Sequence, residues 1–162
     1  MPETVLGLPL HPLVVHATVV VVPTAAAVLA ATLVSARFRR WAGVLPLLLT
    51  VAAVVLSPLA TSTGESLERV VGESSLVERH AELGQMLVWW CAGMLVVAAA
   101  SYLVSRNRVQ LGRAVSGALL AVGLVASAGT LVQVALVGHS GAKAVWSAKV
   151  APANASHAAA DD

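Results

Sequence analysis

Four of the five histidines in this chain of 162 residues, His11, His16, His80 and His139, stand at the ends of long uncharged apolar stretches. A neutral imidazole coordinates haem iron, zinc or copper through either ring nitrogen, the other nitrogen being held by a hydrogen bond. One such ring at a membrane edge can do no more than reach lipid headgroups. Several brought to the same end of a helix bundle would form a site for haem or another metal. The fifth, His157, falls in an Ala-rich tail with no such context.

The elements that must position these rings are read from charge and hydropathy. Hydrophobic residues make up 58% of the chain and charged ones 11%, against the roughly quarter charged of ordinary soluble domains. No Lys, Arg, Asp or Glu occurs in 13–36, 41–64, 83–105 or 114–142. A bilayer core of about 30 Å needs about 20 helical residues, so each stretch is long enough to cross. The chain is therefore expected to be all-α: an up-and-down integral membrane four-helix bundle over residues 1–149, with spans near 12–36, 41–63, 81–105 and 113–139 and a disordered tail at 150–162. The N-terminus carries Glu3 and lacks a basic leader, so the first span reads as retained.

Sidedness follows from the basic residues. Arg37, Arg39 and Arg40 lie between spans one and two, and Arg106, Arg108 and Arg113 between spans three and four, with no acid in either loop. The positive-inside rule makes both loops cytoplasmic and both termini extracytoplasmic in a multi-pass protein of the cell membrane. All eight acids then fall outside, with only Arg69, Arg79, Lys143 and Lys149 to oppose them. The positive charge thus reports topology, and no basic patch suggests nucleic acid.

On this topology the four histidines share the outer side. Pro12 suits the first position of span one and leaves His11 just outside it, while His16 lies a turn inside. At 100° per residue the two positions differ by about 140°, so a continuous helix would not aim both rings alike. Pro23, Pro46 and Pro58 are expected to kink their spans. Spans one and three are diagonal partners in an up-and-down bundle, which would let His16 and His80 meet across its axis as a bis-histidine haem b site. His139 and His11 would then hold a second haem, its propionates or another metal. Glu78, Glu82, Ser62, Thr63 and Ser140 are candidates to orient the rings. On span four the face of His139 carries Ala135, Val132, Ala128 and Ala121, small enough for close helix packing or for a flat cofactor. The segment 65–79, with apolar residues among its charges, reads as a solvated connector or a lid of short surface helices.

The segments LPLHPLVVH, ERHAELG and GHSGAKAVW resemble a bacterial family of four-helix membrane proteins of unknown function, across nearly the whole chain. The resemblance implies histidines at His11, His16, His80 and His139 and, because some members are joined to Rieske iron–sulfur domains, a respiratory or redox setting. Where the family often has Phe after the second histidine, this chain has Ala17. Its one cysteine, Cys91, cannot ligate a Rieske cluster, form an internal disulfide or attach haem covalently, and reads as packing.

Three functional classes remain. The first is a haem b electron carrier or respiratory subunit, whose partner would be a membrane redox complex or an outer-face redox protein. The second is a zinc- or copper-binding membrane protein using the same histidines, with Glu78 or Glu82, as metal ligands. The third is a cofactor-free accessory subunit. A transporter would need ionisable groups at membrane depth, and a stand-alone enzyme a nucleophile with its base; neither is evident in the spans.

Overall fold

The computed structural model describes residues 4–5, 8–72, 74–107 and 109–158. Among them are five α-helices: α1 (Leu10–Val34), α2 (Ala36–Ala42), α3 (Leu45–Val71), α4 (Ser75–Arg106) and α5 (Arg113–Ala158). A two-residue antiparallel pair, β1 (Thr4–Val5) with β2 (Leu8–Pro9), precedes them. Leu10–Val34, Leu45–Val70, Ser75–Arg106 and Arg113–Ser147 are each long and apolar enough to cross a membrane. They pack as a ring in which α1 touches α3, α3 touches α4, α4 touches α5 and α5 returns to α1, leaving α1 and α4 diagonal. Glu3, Glu73, Arg108, Asp161 and Asp162, which entered the charge argument, lie outside the described residues.

The bundle packs around small side chains, as membrane helices do when lipid removes the hydrophobic drive and close approach must supply the attraction. Ala25, Ala26, Ala53 and Ala98 are buried with Leu29, Leu87, Cys91 and Met94, while Val20, Trp89, Val96 and Val125 face outward. A Cβ on Gly129 would stand 2.2 Å from the Trp90 ring, and one on Gly123 would stand 2.3 Å from Leu33 and 2.8 Å from Val97. Several buried hydroxyls are satisfied within their own helices: Thr50 donates to Pro46 O, Ser57 to Ala53 O and Thr130 to Ala126 O. Cys91 is fully buried and accepts a hydrogen bond from Ser57, in keeping with a packing residue.

Several boundaries differ from those read in the sequence. Helix α1 begins at Leu10, so Pro12 occupies its first turn, where no N–H is needed, and His11 is helical. Pro46 sits at the start of α3 and initiates that helix instead of kinking it, whereas Pro23 and Pro58 lie inside theirs. The segment 65–79 is largely helical: α3 runs to Val71 and α4 starts at Ser75, and after α3 Gly72 takes φ 88°, a conformation suited to glycine. The Ser74 hydroxyl caps α4 by accepting from Val77 N. The loop after span one holds a helix of its own, α2, capped by Ser35. The backbone of α5 stays helical to Ala158, where a disordered tail was expected from 150, as its alanine content favours; residues 159–162 lie outside the described residues.

Candidate functional site: a histidine pair at one end of the bundle

Two of the four histidines are built into the bundle in the same way. The His11 ring, in the first turn of α1, lies against α3, where its Nδ1–H donates to Ala60 O at 3.1 Å and to Thr63 Oγ1 at 3.3 Å. The His80 ring, near the start of α4, lies against α5, where its Nδ1–H donates to Val137 O at 3.1 Å and to Ser140 Oγ at 3.1 Å. Both rings are half-buried, and both hydroxyl residues are buried. Each hydroxyl also donates to a carbonyl of its own helix: Thr63 to Ala60 O at 3.0 Å and Ser140 to Val137 O at 2.9 Å. The residue after each is glycine. A Cβ on Gly64 would stand 3.1 Å from His11 Cε1, and one on Gly141 would stand 3.0 Å from His80 Cε1. The sequence thus builds one cradle twice, as carbonyl, hydroxyl three residues on, and glycine next.

This arrangement sets the ring chemistry. A carbonyl oxygen only accepts, so the proton of the neutral ring belongs on Nδ1 and the lone pair on Nε2. That tautomer, with Nδ1–H anchored to a carbonyl, is the one in which histidine binds a metal through Nε2. The two cradles sit on diagonal helices at the same end of the bundle.

A family model described as a predicted membrane protein, DUF2231, matches residues 7–154. The chain belongs to that family. The match takes in all four candidate spans and both cradles, and the family's description agrees with the spans of this DUF2231 chain. No curated protein and no solved structure matches it.

The other two histidines of this DUF2231 chain are placed differently. His16 is exposed, its Nδ1–H donating to Pro12 O of its own helix at 2.6 Å. His139 is also exposed, and with it Ala135, Val132, Ala128 and Ala121, so that face of α5 is on the outside of the bundle. The rings hydrogen-bonded to a second helix are therefore His11 and His80, where the sequence suggested His16 with His80. The reason is the continuity of α1 through Pro12, which keeps positions 11 and 16 on different faces.

Among the proposed orienting groups, Thr63 and Ser140 contact the rings, whereas Glu78 and Glu82 are exposed and Ser62 donates to Leu59 O in its own helix. Among the described residues no three His, Cys, Asp or Glu side chains converge. The sequence reading missed the Ala60 and Val137 carbonyls and the two glycines. Their signal was present as Thr63-Gly64 and Ser140-Gly141, a hydroxyl–glycine pair near the same end of the second and fourth spans.

Proposed function

We propose that this protein holds haem b between His11 and His80 and carries single electrons at the membrane edge opposite the arginine-bearing loops. The observation that supports this most is the repeated cradle: two rings on diagonal helices, each with Nδ1–H held by a carbonyl and a hydroxyl. The donor set suits the group, since two neutral imidazoles would hold the iron and favour electron transfer over reaction with oxygen or a substrate. Bound there, haem would supply a one-electron couple. The residues would fix the ring planes, keep Nε2 unprotonated and limit the reorganisation that accompanies a change of charge. With no histidine deeper in the spans, an electron partner would dock at this outer end or beside it in the membrane, as a respiratory complex or redox protein.

The test is the visible spectrum of detergent-purified protein, oxidised and dithionite-reduced, with a pyridine haemochrome to count haem. Sharp reduced α-bands at about one haem per chain, lost in His11→Ala and in His80→Ala, support the reading. Colourless protein purified from haem-replete cells overturns it.

A second reading is favoured by the fact that each ring bridges two helices, α1 to α3 and α4 to α5: the histidines would be cofactor-free clamps in an accessory subunit. Colourless, metal-free protein that loses thermal stability on either substitution supports that reading. Stoichiometric copper or zinc would instead assign the pair to a metal, completed by ligands from outside the described residues.

A further inference from the structure

We infer that the opposite end of the bundle binds an anionic phospholipid, its phosphate between Arg39 and Arg106 and an acyl chain in the cavity behind them. This inference is independent of the histidine pair. A cavity of about 510 Å³ opens there, in the range of about 300–1,000 Å³ typical of small-molecule sites. Its mouth carries exposed Arg39 from α2 and Arg106 from the last turn of α4, with Tyr102 beside them; its floor is Leu29, Leu47 and Ala98, continuous with the core. A cationic rim over an apolar floor matches an anionic headgroup carrying a hydrocarbon chain and suits neither a free anion nor a neutral oil.

Two further observations strengthen the match. All eight acidic side chains of the chain fall outside 36–42 and 106–113 in sequence, and among the described residues neither guanidinium has an ion pair. A second cavity of about 400 Å³ adjoins the first, sharing Arg39, Ser101 and Ser105 with it, and the Ser101 hydroxyl, buried without a hydrogen-bond partner, lines both. Basic pockets between helices at a membrane surface recognise lipid headgroups in this way, each arginine near the surface contributing about 1 kcal/mol, or roughly fivefold in affinity.

Native mass spectrometry of the detergent-solubilised chain tests the site, using phosphatidylglycerol and phosphatidylcholine with identical acyl chains and inorganic phosphate as competitor. The expected result is about tenfold or greater preference for phosphatidylglycerol, unaffected by millimolar phosphate. The double variant R39Q/R106Q should fall to within about twofold of phosphatidylcholine binding. The double variant R37Q/R40Q removes the same charge from residues that line neither cavity, and should keep the preference. Equal retention of the two lipids by the wild-type chain overturns the proposal, and needs no variant to fold. Displacement by phosphate alone overturns it in favour of a free-anion site, and equal loss in both double variants overturns it in favour of diffuse surface charge.

Discussion

The inward and outward faces of the histidine-bearing end are made of the same residue types and differ in what surrounds them. His11 and His16 lie on one helix five residues apart, yet His11 is hydrogen-bonded to α3 while His16 is exposed and bonded only to its own helix. His80 and His139 repeat the contrast on α4 and α5. The inward rings have a tautomer and orientation imposed by a second helix. An exposed ring such as His16 keeps a ligand-ready nitrogen too, but its Nδ1–H is bonded only to its own helix. Proximity to the membrane edge therefore does not by itself fix a histidine; hydrogen bonds to a second helix do.

The sharpest way to break this comparison is to exchange the faces. On the proposed function, His11→Ala or His80→Ala should weaken haem binding more than a hundredfold, because a residue that would hold the iron is removed outright and even the groups behind a ligand are worth about 10–100-fold. Haem titration into apo-protein measures it. Thr63→Val and Ser140→Ala leave the carbonyl bonds in place and remove the second acceptor, so each should weaken binding by about tenfold or more within the same range. Loss in one cradle without the other would show that the two are not equivalent.

Packing gives the next contrast. Gly129→Ala puts a methyl into the Trp90 ring and should cost about 1–3 kcal/mol, read as a lowered unfolding transition in mild detergent. Gly117 has nothing within 4 Å of an added Cβ, and Gly117→Ala should be neutral or stabilising by up to about 1 kcal/mol, as helix propensity dictates. Gly64→Ala and Gly141→Ala should act more mildly, since the ring need give only a few tenths of an ångström. A shift of the α-band with less than about tenfold loss of haem is expected, smaller than for the hydroxyl variants. His16→Ala and His139→Ala should leave both occupancy and the unfolding transition unchanged. A loss of haem in either would return that ring to the site.

Much of the architecture was legible because it depends on local composition. The uncharged stretches became α1, α3, α4 and α5, and the diagonal relation of spans one and three followed from up-and-down connectivity. Boundaries were less legible where prolines and capping decide them: Pro46 reads equally as a kink or a start, and only the position of Leu45 as the first residue of α3 distinguishes the two. The connector at 65–79 looked like a loop because its charges broke the apolar run. Helix formation does not require apolarity, however, and α3 and α4 extend beyond their hydrophobic segments. The small residues of span four gave two open readings, and packing divides them by face: Gly123 and Gly129 receive neighbouring side chains, while Ala121, Ala128 and Ala135 are exposed.

The amino-acid order alone therefore determined that this chain has four apolar segments of membrane-crossing length, that its loop charges are unequal, and that four histidines fall at the ends of the apolar stretches. These are sums over neighbouring residues, and burial in lipid reads such sums directly. Tertiary structure decided which rings lie against a second helix and which carbonyl, hydroxyl and glycine hold them. That outcome depends on the rotation and sliding of each helix against its neighbours, set by contacts such as Trp90 on Gly129 between residues 39 positions apart. No local pattern encodes such an angle, because the residue that completes each histidine's environment lies on another helix.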